Sequence, residues 1–463
     1  MQPLLAITAL TWKAALRFRL FLVIAVLLLA SVVGLPLLIK DDGTARGFTQ
    51  ILLTYTLSTI SVLLGFSTLW LACGLLSREI EDCQMQMVVV KPVARWQIWF
   101  GKWLGIMSLN AVLLALAGGT LYGLLQWRAT RLPADEQKVL RNEVLIARGS
   151  IRPPGLDKEI DEETSRRVQE RLQKYPVSPG DVPEVVKNIR GQVKAEVETV
   201  PPGVGHLWEI DLGLRRHLLR GQPLHLRIKF NSADKSPSGT FLGILQVGVP
   251  RKTRVWRSEV LSLAPDTFHE VPLPPDLFDE NGILTVQFGN LPVNGATLLF
   301  PLEDGLEVLY PEGGFALNYI RGLGIIFCWI ALLATLGLAS SSFFSFPVAA
   351  FFSLAMLFLV LCSATMANVV SEGTIADYDA AKSRKGSSPA DIVILPVFKS
   401  VLKVINLAKD FSPVDSLSTG RSISWLELGQ AFAQVVLLLG GPLCVFGIVA
   451  FTRRELATAQ GTQ

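Results

Sequence analysis

ILLTYTLSTISVLLGFSTLWLACGLL, residues 51–76, contains no Asp, Glu, Lys or Arg. A helix rises 1.5 Å per residue, so about 20 residues of this kind cross the ~30 Å hydrocarbon core of a bilayer. Outward from this run the pattern repeats. Residues 20–38 precede it, and 103–125, 320–338, 346–366 and 431–451 follow it. The long polar segment 127–319 separates the third run from the fourth. The expected fold is therefore membrane α-helical. It has six transmembrane helices and an extracytoplasmic α+β insertion between spans three and four.

Composition agrees. Half of the 463 residues are hydrophobic and 18% are charged, where a soluble chain carries about 25%. Of the five cysteines, Cys73, Cys328, Cys362 and Cys444 fall in apolar runs and Cys83 in a short loop. The polar insertion has none, so it must hold together through its own core and not through disulfides. The first run follows Lys13, Arg17 and Arg19, as a signal peptide would. It is too long for one, lacks a small-residue exit and is followed by a second span, so a retained helix is expected.

Lys and Arg in the short loops set the orientation. Lys13, Arg17 and Arg19 lie before span one, Arg78, Lys91, Arg95 and Lys102 between spans two and three, and Arg453 and Arg454 after span six. Six alternating spans put all three groups on the cytoplasmic side, with both termini. The expected parts are then three. Residues 1–126 hold an amphipathic segment, spans one to three and a cytoplasmic loop at 77–102. Residues 127–319 form the outer domain. Residues 320–463 hold spans four to six, an outer loop at 367–430 and a cytoplasmic tail.

Within the outer domain, 127–200 reads as helical, with charged runs at 134–147 and 158–174 broken by Pro153-Pro154 and Pro176. Pro201-Pro202-Gly203 marks a change of pattern. From 204 to 310 apolar and polar residues alternate, as in Leu224-His225-Leu226-Arg227-Ile228-Lys229-Phe230, which predicts half-buried strands. Asp279-Glu280-Asn281-Gly282 is a turn signal, and several short strands at this spacing point to a small β-sandwich. Trp208, Trp256 and His269 read as core or rim residues. In the second outer loop, residues 392–407 are apolar with Lys399 and Lys403 and too short to cross. Two placements suit them: a helix on the outer membrane surface, or one packed on the outer domain.

Enzyme signatures are missing. No G-x-x-x-x-G-K-[ST], G-x-S-x-G or H-E-x-x-H occurs, and Gly101-Lys102-Trp103 lacks the context of a phosphate loop. The four histidines, His206, His217, His225 and His269, are scattered. No Cys/His spacing suggests a metal. The spans carry no charge in their middles, where each ion costs about 2.5–3.5 kcal/mol. A proton- or sodium-driven carrier is therefore not expected. Arg321, at the edge of span four, can snorkel.

The loop at 77–102 has the most pointed local pattern. Ile80, Cys83, Met87 and Val88 fall on one helical face and Glu79, Asp82 and Gln86 on another, and Pro92 ends the helix. Periodicity leaves two readings open. The loop either anchors two helices at the interface or docks a soluble partner and carries force into the spans.

Acidic residues just after span two, a short helix, then Lys-Pro-Val-Ala-Arg and Gly-Lys before span three resemble the permease subunits of ABC-2-type exporters. There the segment reads Glu-Arg/Lys-Glu, a leucine-rich turn, Pro-Val-Ser-Arg and Gly-Lys. Glu79, Glu81, Pro92, Arg95, Gly101 and Lys102 match it. The basic segment at 10–19, with Lys13, Arg17 and Arg19, resembles the family's interface helix, which touches the ATPase. The resemblance covers the spans and inner loops. The Met-Gln-Met-Val-Val-Val run and the large insertion depart from it. It implies a permease without catalytic, metal or cofactor residues of its own, in a bacterial inner membrane. Its partners would be an ABC ATPase subunit that binds ATP and Mg, a second permease copy or paralogue, and membrane lipid, with no nucleic acid. A different class also accommodates the sequence: a membrane-anchored binding or scaffold protein with no transport activity.

Overall fold

The computed structural model describes residues 2–17, 19–38, 44–82, 85, 93–175, 182–232, 234, 238–372, 378–379, 384–385, 390–409 and 411–454. The chain divides into two compact units, Met1–Ala147 with Gly313–Gln463, and Arg148–Glu312. Helices α1 (Gln2–Arg17), α2 (Arg19–Leu38), α3 (Ala45–Glu81) and α4 (Arg95–Ala129) come before the second unit. Helices α5 (Asp157–Lys174) and α6 (Val182–Glu198) lie within it. Helices α7 (Phe315–Phe343), α8 (Phe346–Leu361), α9 (Ser363–Glu372), α10 (Asp391–Lys409), α11 (Pro413–Ser418) and α12 (Trp425–Arg453) follow.

Among the described residues α3, α4, α7 and α12 are long and apolar enough to cross a membrane. In lipid a helix satisfies its own backbone hydrogen bonds, so uninterrupted apolar runs become helices. The run at 346–366 is not one straight span: α8 and α9 meet at Cys362 with a 52° bend, and together they make a fifth candidate. The first run forms α2, whose apolar stretch Val23–Leu37 is shorter than the others and contains Pro36.

Packing in this unit rests on small residues and buried polar pairs, the devices available where lipid is as apolar as leucine. A Cβ on Gly337 would stand 2.6 Å from Ala72 Cβ, so α7 can approach α3 this closely only through glycine. Thr68 Oγ1 of α3 donates to Asn110 Oδ1 of α4 (2.9 Å), and Trp103 Nε1 of α4 to Thr335 Oγ1 of α7 (2.9 Å). Each pair satisfies groups that would be costly to leave bare.

The second unit is built on strands β1 (Ile146–Ile151), β2 (Thr199–Val200), β3 (Gly205–Asp211), β4 (Leu224–Ile228), β5 (Asn231–Ser232), β6 (Phe241–Val247), β7 (Trp256–Arg257), β8 (Leu261–Leu263), β9 (His269–Leu273), β10 (Ile283–Asn290), β11 (Leu298–Leu299) and β12 (Leu306–Gly314). One sheet runs β1-β12-β4-β9. A second runs β3-β10-β6-β7, with β8 also on β6, and a small third runs β2-β11-β5. β6 alternates buried and half-buried residues along its whole length, as the period-2 pattern requires. Phe230, Phe241, Phe288 and Phe300 form an aromatic centre, with Phe288 and Phe300 ring centroids 5.0 Å apart. The expected turn is present. Ile283 N–H donates to Asp279 Oδ1 (2.8 Å), Gly282 takes φ +87°, and the Ile283 bond holds the Asp279 carboxyl below its ordinary pKa. Trp208 and Trp256 pack against this core, and His269 Nε2 lies 2.8 Å from the Ala264 carbonyl oxygen.

Two local expectations are corrected. The helical run read at 134–147 stops early. An α-helix covers Ala134–Val139, a π-helical turn carries it on through Leu140–Val144, and β1 starts at Ile146. Residues 134–147 belong with the helical unit. The polar alternates of β4 are not simply solvated either, since Arg227 is only 3% exposed. It faces Glu307 across β12 and Glu270 across β9, with bonds of 3.0 Å to Glu307 and 2.6 Å to Glu270. Arg148 on β1 reaches Glu270 at 2.7 Å. Alternating charges thus neutralise one another across the sheet, which is the condition for burying Glu307 completely.

Helices α5 and α6 pair through Arg167, which binds Glu163 and Glu196 at 2.8 Å each. The helix dipole favours Asp157 and Glu159 in the first turn of α5 and Arg171 and Lys174 in its last.

Candidate coupling site at one end of the helical unit

The C-terminal ends of α3, α7 and α12 and the N-terminal ends of α4 and α8 meet at one end of the helical unit. The residues singled out from sequence meet there too. Lys102 Nζ donates to Glu79 Oε1 at 2.6 Å, tying α4 to α3. Lys102 is 4% exposed, so the pair is largely desolvated. Glu81 accepts from the Phe346 N–H (2.9 Å) at the first turn of α8. The Arg78 guanidinium lies 4.2 Å from the centre of the Phe346 ring.

Two arginines close the opposite helix ends. Arg95 Nη1 donates to the carbonyls of Phe451 (3.2 Å), Thr452 (2.7 Å) and Arg454 (3.0 Å) at the end of α12. Arg454 Nη1 donates to the carbonyls of Ser341 (3.1 Å), Ser342 (3.2 Å) and Phe344 (3.4 Å) at the end of α7. A helix leaves its last carbonyls unpaired and carries partial negative charge there, so a cation is favoured at each end. Glu81 meets the reverse condition at the positive end of α8.

Helix α1 is locked to α4 through small residues. A Cβ on Gly101 would stand 2.9 Å from Ile7 Cγ2, and one on Gly105 2.6 Å from Thr11 Cβ. Thr8 Oγ1 donates to the Gly101 carbonyl (3.2 Å) and Trp12 Nε1 to Ser108 Oγ (2.8 Å). Ile7, Thr8, Thr11, Trp12 and Ala15 therefore form the inward stripe of α1, at the spacing one helix face requires. Lys13 and Arg17 remain exposed, and Arg19 opens α2.

The structure thus unites Glu79, Glu81, Arg95, Gly101 and Lys102, five of the six loop residues read from sequence. Pro92, like Cys83, Met87 and Val88, lies outside the described residues. The individual partners differ from those expected of a free docking loop. Glu79 and Arg95 are bound within the chain, to Lys102 and to the end of α12. Arg454 was expected on this side, but its Ser341 and Ser342 acceptors and the role of Phe346 were not anticipated, because partners more than a hundred residues away leave no mark in a local pattern.

Among the described residues no group of three or more His, Cys, Asp or Glu is placed to hold a metal. Comparison of the chain with protein-family models, with curated proteins and with solved structures finds no match.

Proposed function

We propose that this chain is the membrane subunit of an ATP-driven exporter of the ABC-2 type, with six spans, both termini cytoplasmic and the Arg148–Glu312 unit outside. ATP and Mg belong to a separate ATPase subunit, and a second permease copy or paralogue completes the complex in a bacterial inner membrane. One observation supports this reading above others: the loop residues matching the family converge where five helix ends and α1 are tied together. A soluble partner pressing on that end moves α3, α4, α7, α8 and α12 as a set, because charged side chains connect their termini directly. The spans need no buried carboxylate for this mechanism, since the energy arrives from the cytosol.

The exposed groups at this end define the contact. Asp82 and Trp96, at the ends of α3 and α4, are open to a partner there, and Lys13 and Arg17 are exposed on α1 just past Trp12, which meets Ser108 of α4, whereas Glu79 and Lys102 serve each other. Lys13→Glu with Arg17→Glu therefore tests docking without touching the internal ties. Affinity purification of the tagged chain from its own membranes should recover an ATPase with the wild type, and at least several-fold less with the double variant. Recovery of no ATPase with the wild type sinks the proposal and favours the scaffold reading.

A further inference from the structure

We propose that α10 is an interfacial helix whose docking partner is the lipid bilayer, with a valine stripe in the acyl boundary and two lysines on lipid phosphates. The inference needs only the membrane class of the protein and is independent of any ATPase.

Helix α10 has three distinct faces. Leu402 and Ile405 point inward and are buried. On the same side Lys409 Nζ donates to Ser363 Oγ of α9 (2.7 Å), and the Ala408 carbonyl accepts from Trp329 Nε1 of α7 (3.3 Å). Val393, Val397 and Val404 form a second face, 67%, 52% and 53% exposed. Their spacing of four and seven residues makes one stripe. Lys399 and Lys403, also four apart, form the third face with Asn406, all exposed. At 3.6 residues per turn the lysine stripe lies roughly 120° from the valine stripe. Ile392, at the helix start, is the one large apolar side chain exposed toward the lysines.

An apolar stripe beside a basic one is what a helix in the headgroup layer presents, its lysine stems reaching up to water and phosphate. The position in the chain argues for lipid over water. Helix α10 is fastened to α7 and α9, and α9 is the bent continuation of the apolar α8. The valine stripe is thus carried on a helix fastened directly to candidate membrane spans. In water it would remain wetted at three positions with no compensating contact.

The test uses the full chain in vesicles of phosphatidylcholine, with or without phosphatidylglycerol. A fluorophore is attached at Val397→Cys or at Asn406→Cys, in a chain whose Cys73, Cys83, Cys328, Cys362 and Cys444 are alanine. Lipids with a quencher at shallow acyl depth should quench the label at 397 at least threefold more than the label at 406, and aqueous iodide should show the reverse order. Lys399→Glu with Lys403→Glu should weaken lipid quenching at 397 in phosphatidylglycerol vesicles and leave it unchanged in phosphatidylcholine alone. Equal iodide quenching at both positions places the helix in water and overturns the proposal. A benzophenone amino acid at 397, in the chain with its native cysteines, provides an independent reading. Adducts to lipid support the proposal, and adducts between two copies of the chain assign the stripe to a protein interface and overturn it. An unchanged response to the lysine reversals removes the phosphate contact.

Discussion

Lys102 is a lysine with almost no access to water, and Glu79 of opposite charge lies 2.6 Å from it. Removing one member of such a pair strands the other, which costs more than the pair contributes. Lys102→Met should lower stability by about 2 kcal/mol, less than for a fully buried pair because Glu79 retains some solvent. Exchanging the charges, Glu79→Lys with Lys102→Glu, should recover most of that loss. Melting midpoints in detergent check both, and a double variant no better than Lys102→Met would show that the two side chains act separately. The same pair marks how far residues could be understood from sequence. Both residues stood out in the sequence, through acidic groups after one span and Gly-Lys before the next. Their partner was not legible, because a local pattern cannot tell a charge facing a soluble protein from one facing a neighbouring helix. Reversal of Glu79 and Glu81 together therefore disturbs the α3–α4 and α3–α8 ties, and cannot isolate docking. Arg227 carries the same lesson in the second unit. Alternation placed it on the polar face of β4, and only the neighbouring strands reveal that this face is buried and neutralised by Glu270 and Glu307.

Elements were legible where hydrophobic period alone decides them and illegible where packing does. The uninterrupted apolar runs became α3, α4, α7 and α12, and the alternating stretch at 224–230 became β4 with a short continuation. The bend between α8 and α9 has neither proline nor glycine at Cys362 to announce it. Charged residues at 134–147 suggested a helix throughout, yet Ile146–Ile151 joins the sheet beside β12, since tertiary pairing outweighs a weak local preference. Helix α1 shows packing deciding placement at this scale. An amphipathic segment was expected at 10–19, and the Ile7–Thr11 face of α1 is seated on Gly101 and Gly105. A side chain at Gly105 cannot be accommodated with Thr11 Cβ only 2.6 Å from the new Cβ. Gly105→Val should therefore lift α1 from α4 while α4 itself stays helical. Disulfide formation between cysteines introduced at Thr8 and Leu104 measures the change, provided the wild-type spacing permits the bond. Spin-label distances from Lys13 to an exposed α12 site such as Val449 measure it without that condition. A displacement of several ångström is expected, and an unchanged distance would mean that α1 holds its place without the glycine groove.

At the scale of the whole molecule the order of the chain restricts the possible topologies. It leaves α4 from the end opposite the coupling site, passes through Arg148–Glu312 and re-enters at the N-terminus of α7. The ends of α3, α7 and α12 that share the arginine and glutamate ties are thus separated from both connections to the second unit by the length of an apolar helix. Basic residues gather at the tied end, with Arg78, Arg95, Lys102, Arg453 and Arg454. Positive charge is retained on the cytoplasmic side during insertion, so the second unit is expected outside. Cysteines at Leu214, an exposed position in the second unit, and at Lys13 on α1 decide the matter. In intact cells an impermeant maleimide should label Leu214→Cys and leave Lys13→Cys unmodified until the membrane is opened. Labelling in the opposite order would turn the molecule over. The arginine-tied helix ends would then face away from ATP, and no cytosolic motor could work them.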